Sequence, residues 1–182
     1  MKNKKNIHVI IIVSIAALII SGCTAGVGAA SSWPGFSVTE KTGFLSFGAQ
    51  TYAVDLKNGS LVWKYPAEAD RARQAYSAPE TADGITVFGD YSGSLVAVNS
   101  VNGTKKWEFT GAEDRYIASA SITNGIVYAP NTDGYLYVLD NEGSLKWKFL
   151  AEGPNWTKPV SNAEFVYMAS MDHSIYALSQ DI

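Results

Sequence analysis

From residue 33 onward the hydrophobic pattern is one of short apolar runs of about five residues, each closed by a turn signal. In the stretch Leu136, Tyr137, Val138, Leu139 both alternate faces are apolar, as in a strand packed on both sides, and no helical period competes with it. Asp83-Gly84, Ser92-Gly93 and Asn102-Gly103 divide residues 76–110 into four candidate strands: Tyr76 to Glu80, Ile85 to Gly89, Ser94 to Asn99 and Lys105 to Thr110. Asn124-Gly125, Asp133-Gly134 and Glu142-Gly143 divide the following stretch in the same way.

The pattern repeats. Tyr52 to Tyr65 reads YAVDLKNGSLVWKY, Val96 to Phe109 reads VAVNSVNGTKKWEF, Tyr137 to Phe149 reads YVLDNEGSLKWKF, and a fourth copy begins as IYALS at Ile175. Trp63, Trp107 and Trp147 recur at spacings of 44 and 40 residues, in the range of propeller blades. WPGFSV from Trp33 supplies an innermost strand for the first unit, and the fourth unit ends before its outer strand. The sequence therefore predicts an all-β propeller of four-stranded antiparallel blades, about four of them with the last incomplete, over residues 33–182. Three closures are compatible with that count. The chain is a piece of a longer propeller, which is the preferred reading, or two chains pair into one eight-bladed ring, or it closes alone as a strained four-bladed ring.

Ahead of the repeats, Lys2, Lys4 and Lys5 precede an apolar run from Ile7 to Ile20, too short and too interrupted by His8 and Ser14 for a membrane span. Ile20, Ser21, Gly22, Cys23 resembles the bacterial lipobox, in which the cysteine is diacylated and becomes the first mature residue. Residues 1–22 are thus expected to be a lipoprotein signal peptide, Cys23 the lipidated residue, and 23–32 a tether of small residues. Two acyl chains would hold the protein to a bacterial membrane on the extracytoplasmic side of the cell envelope. Cys23 is the single cysteine, so no disulfide is formed within the chain.

The repeated positions Ala53, Asp55, Gly59, Trp63 and Ala97, Asn99, Gly103, Trp107 resemble the repeat of the pyrroloquinoline-quinone-type (PQQ-like) β-propellers over nearly all of the mature chain. That family includes quinoprotein alcohol dehydrogenases and the lipid-anchored propeller of the outer-membrane barrel-assembly machine, and this chain resembles the latter in architecture. The resemblance implies that the three repeated tryptophans fill wedges between blades. The family's dehydrogenases carry a vicinal cysteine pair under the quinone, which this sequence does not have, so fold and repeat carry over and the quinone does not.

Charge and residue inventory narrow the chemistry. A formal net charge of −3 among 182 residues gives no excess of cations for a nucleic-acid backbone. Metal-ligand spacings, phosphate loops and the G-x-S-x-G elbow are absent, so no cofactor, no metal and no catalytic residues are expected. His173 beside Asp172 reads as a turn residue rather than a general base.

In an up-and-down meander the loops between blades and the turns between second and third strands share one end of the ring. That end collects Arg71, Arg73, Tyr76, Asp114, Arg115, Tyr116, Asn155, Trp156 and Lys158 from the loops, with Asp90, Tyr91, Asn131, Asp133, Asp172 and His173 from the turns. Arg71, Arg73, Asp114, Arg115, Trp156, Asp172 and His173 form the candidate binding face for a protein, peptide or glycan; the other reading is a solvated loop surface. Trp156 is either a recognition aromatic or an inner-strand core residue. The leading expectation is a non-catalytic binding or scaffold module. The competing one is a fragment of a quinone-dependent dehydrogenase-type propeller.

Overall fold

The computed structural model describes residues 34–180; the expected leader, Cys23 and tether lie outside the described residues. These residues form antiparallel sheets and no helix. The first blade is β1 (Gly35–Val38), β2 (Thr42–Phe47), β3 (Gln50–Asp55) and β4 (Leu61–Tyr65). The second is β5 (Glu80–Ala82), β6 (Ile85–Gly89), β7 (Leu95–Asn99) and β8 (Lys105–Phe109). The third is β9 (Ser121–Thr123), β10 (Ile126–Pro130), β11 (Tyr135–Asp140) and β12 (Leu145–Leu150). The fourth holds β13 (Val160–Ser161), β14 (Phe165–Ala169) and β15 (Ile175–Ser179). Within each sheet the strands lie in chain order, which is the meander of a propeller blade.

Two turn chemistries produce each meander. Between first and second strands, Asp83-Gly84 and Asn124-Gly125 place both residues at positive φ, the two-residue hairpin that matches strand twist. Between third and fourth strands the loop is longer and a bulge shifts the register after Ala53, Ala97 and Val138. There the last residue of the third strand ties the loop: Asp55 Oδ1 accepts from the Lys57 and Asn58 amides, Asn99 Oδ1 from Val101 and Asn102, and Asp140 Oδ1 from Glu142 and Ser144.

The core sits between blades. Trp63 packs with Phe44, Ala53, Phe88, Val96 and Val98 between the first and second blades. Trp107 lies in the cluster of Ile85, Val87, Leu95, Val127, Tyr137 and Leu139 between the second and third. Tyr128, Leu136, Val138, Val166 and Met168 fill the space between third and fourth, with Trp147 at its margin and only partly buried. The wedge is also hydrogen-bonded: the Trp63 indole donates to Ser100 O at 3.0 Å and that of Trp107 to Asn141 O at 2.9 Å, each on the next blade.

One predicted strand is displaced. The innermost strand of the second blade begins at Glu80 rather than spanning Tyr76 to Glu80. Pro79 has no N–H for a ladder, and the Tyr76 ring is stacked on Tyr91 with centroids 3.6 Å apart, so only an isolated bridge from Ala75 to Asp90 remains there.

Candidate binding face

The interblade loops and the turns between second and third strands do meet at one end, held by backbone bonds. Tyr91 N donates to Gln74 O, Tyr116 N to Asp90 O, Asn155 N to Asn131 O and Met171 N to Pro154 O. Side chains repeat the tie from blade to blade. Asp133 Oδ2 accepts from the Glu113 amide and Asp172 Oδ2 from the Glu152 amide, both at 3.0 Å, while Tyr137 and Tyr176 each donate a hydroxyl to the same carboxylate at 2.7 Å. Asn131 and Asn155 are fully buried and donate to Asp114 O and Gly134 O.

These bonds divide the predicted face into two groups. Arg73, expected as a recognition cation, instead donates its Nε to Asp90 at 2.9 Å and its guanidinium to Glu108. Burial works against its charge, but the bonds to Asp90 and Glu108 outweigh that and raise its pKa. Asp90, 6% exposed, is further occupied by the Ser92 and Ser94 amides. Asp172 takes three donors, from Tyr176, Ser174 and Glu152, and the Tyr176 hydroxyl is the main reason its pKa is lowered. His173 is exposed at φ 69° in the turn position that Gly93 and Gly134 fill in the other blades. None of the bonds to Asp172 comes from His173, so the pair is not assembled as a carboxylate–imidazole dyad. Tyr116 and Tyr76 are buried.

What is left open to solvent is Arg71, Asp114, Arg115, Trp156 and His173. Arg115 reaches Asp114 at 3.3 Å with both side chains about half exposed, and its guanidinium stands 5.3 Å from the Tyr91 ring, itself stacked on Tyr76. Arg115 is thus held between the Asp114 carboxylate and the face of the Tyr91 ring, a cation–π pair at the surface. Trp156 is 51% exposed next to buried Asn155, so its position is not that of an inner-strand core residue. Lys158 is tied inward, donating to Glu80 at 2.6 Å, which links the fourth blade to the innermost strand of the second. Among the described residues no three His, Cys, Asp or Glu side chains converge as a metal set. A cleft between the first two blades, lined by Gln50, Tyr65, Arg73, Phe88 and Asp90, encloses about 20 Å³, room for a single water.

Two contacts were not found by sequence reasoning: the turn glycines Gly103 and Gly143, where a Cβ would lie 2.8 and 2.6 Å from Trp63 and Trp107 of the preceding blade, and the ion pairs that tie Arg73 of the interblade loop to Asp90 and Glu108 of the second blade. A signal for one further contact was present: the aromatic two positions after each repeated Trp. Tyr65, Phe109 and Phe149 meet Phe88, Tyr137 and Tyr176 of the following blade, with centroids 6.0, 5.3 and 5.0 Å apart.

Comparison with known proteins gives the same architecture. The family model described as "Outer membrane protein assembly factor BamB", one of the PQQ-like repeat families, matches residues 24–147, well over half of the chain. A protein of that description from Xanthomonas campestris pv. campestris is 30% identical over 84 residues, 43% of this chain and 18% of the relative. The crystal structure of BamB from Moraxella catarrhalis superposes with a TM-score of 0.69 at 21% identity, over 79% of this chain and 44% of that one. Two computationally designed proteins, Ika4 and Ika8, each superpose at 0.72 and 15% identity over 85% of this chain, covering 94% of the first and 47% of the second. The chain thus spans less than half the length of either BamB protein.

Proposed function

The chain belongs to the PQQ-like family described as outer membrane protein assembly factor BamB, and from that premise we propose that it is a non-catalytic scaffold propeller that docks a protein or peptide in the bacterial cell envelope, glycans being the remaining class. Cys23 serves as its lipid anchor in this reading, because the lipobox precedes the repeats directly. The observation that carries the proposal is the contrast within one end of the ring. Arg73, Asp90, Asp133 and Asp172 hold the blades together, whereas Arg115, Asp114 and Trp156 are exposed and do no comparable structural task. An enzyme would need its polar groups converging on a reacting atom; here Arg73, Asp90, Asp133 and Asp172 are bonded to one another, to tyrosine hydroxyls and to backbone amides. The relatives' printed role in membrane-protein assembly supports a protein partner.

Alanine at Arg115 and Trp156, made together, tests the reading. Envelope proteins captured by the immobilised wild-type chain should be captured less by the variant, with the far-ultraviolet circular dichroism unchanged. Undiminished capture by a folded variant overturns the proposed face. Arg73 is left intact in this test because its loss would disturb the blade contacts.

A further inference from the structure

Among the described residues, every lysine that lies in a strand lies in an outer one: Lys64 on β4, Lys105 and Lys106 on β8, Lys146 and Lys148 on β12. Glu108 is the sole acid in these three strands, and Arg73 and Lys105 already share it. Lys106 and Lys146 are exposed and pair with no carboxylate among the described residues. The outer wall of the second and third blades is therefore cationic.

Both ends of the blades have the opposite sign. Asp90, Glu113, Asp114, Asp133, Glu152 and Asp172 outnumber Arg71, Arg73, Arg115 and Lys158 at the interblade-loop end, and Asp55, Asp83, Asp140, Glu142 and Glu164 outnumber Lys41 and Lys57 at the other. Lysine on an unpaired edge strand also deters pairing with stray strands. That role does not call for apolar groups among the lysines, yet Leu150 at the end of β12 is 55% exposed and Val101, in the loop that leads into β8, is 76% exposed. Cations interspersed with exposed apolar side chains are what a protein presents to an anionic bilayer interface.

Chain length brings the wall to such a surface. On the reading of Cys23 as the lipid anchor, on which this inference rests, residues 23–32 span at most about 35 Å even when fully extended. So short a connection keeps the blades beside the lipid at a high effective concentration, where contacts that are weak singly are made together. An anionic surface repels both acidic ends and attracts the wall. The second and third blades are neighbours, so one plane touches both of their outer strands.

We propose that β8 and β12 rest on an anionic bilayer, with Lys106 and Lys146 as the principal headgroup contacts. The propeller then stands on its outer wall, and the interblade-loop end, with Arg115 and Trp156, faces sideways and stays open to a partner.

The test mixes the full chain with vesicles of phosphatidylcholine, alone or with phosphatidylglycerol, acetylates it with a water-soluble reagent and reads each lysine by mass spectrometry. Lys106 and Lys146 should be labelled about fivefold less with the anionic vesicles. Lys41 and Lys57 should be labelled equally with both, and high salt should abolish the protection. Lys106→Glu and Lys146→Glu, combined, should return Lys148 to its labelling with neutral vesicles, with unchanged circular dichroism. Equal labelling of Lys106 and Lys146 with both vesicles overturns the proposal. So does protection of the same size by soluble polyaspartate, which would make the wall a site for acidic polypeptides. Flotation with phosphatidylcholine vesicles reports the anchor separately: a chain that floats but shows no difference in labelling refutes the wall alone, and one that does not float yet is protected by anionic vesicles refutes the anchor alone.

Discussion

Trp107 and Gly143 show how one residue pair joins two blades. The indole donates its N–H to Asn141 O, and its ring lies where a Cβ on Gly143 would be, so the turn glycine has both a positive φ of 86° and no room for a side chain. Gly59 has the same backbone habit at φ 72° and open space. Gly59→Ala should therefore cost about 1 kcal/mol, the penalty of a left-handed alanine. Gly143→Ala should add about 1 to 3 kcal/mol for overlap with the ring. Urea midpoints of the two variants measure the difference, and equal losses would mean that the contact adds nothing. The sequence displays both residues but not their meeting: Gly reads as a turn former and Trp as a wedge within single repeats, and the contact exists only across two of them. In the same way Arg73 reads as a free cation until its partners Asp90 and Glu108 are seen on the adjacent blade.

At the scale of the element, Arg73 and Lys105 both donate to Glu108 on β8, and Arg73 carries the tie back to the turn after β6. Burial alone would raise the Glu108 pKa; the donations from Lys105 and Arg73 outweigh it and hold the carboxyl below its ordinary value of 4.5. A pKa depressed by folding contributes stability that is fully present above the ordinary value and is lost as pH falls through the depressed one. Acid titration of stability should therefore show a loss setting in below about pH 4.5, and Glu108→Gln should flatten that part of the profile; an unchanged slope in the variant would assign the loss to other carboxylates. Strand positions such as Ile85–Gly89 were legible because short apolar runs between Asp-Gly and Ser-Gly leave one solution. The innermost strand of that blade was not, because Pro79 and the Tyr76–Tyr91 stack act through tertiary neighbours.

For the whole molecule, the repeat gives the architecture and the meander gives the ends. The shared end for interblade loops and turns followed from strand direction alone, and the Tyr91–Gln74 and Asn155–Asn131 backbone bonds are its physical form. What direction could not supply was the division of that end into blade ties and free surface, because it depends on which carboxylates the neighbouring amides reach. Arg115 and Trp156 remain on the free side, while Val101, 76% exposed, marks the opposite end in the loop between β7 and β8. In-cell photo-cross-linking from positions 115, 156 and 101 measures this contrast directly. Adducts to another protein from 115 and 156, with none from 101, are the result expected of a scaffold that docks its partner on the interblade-loop end. Adducts of equal yield from 101, or none from 115 and 156, would contradict it.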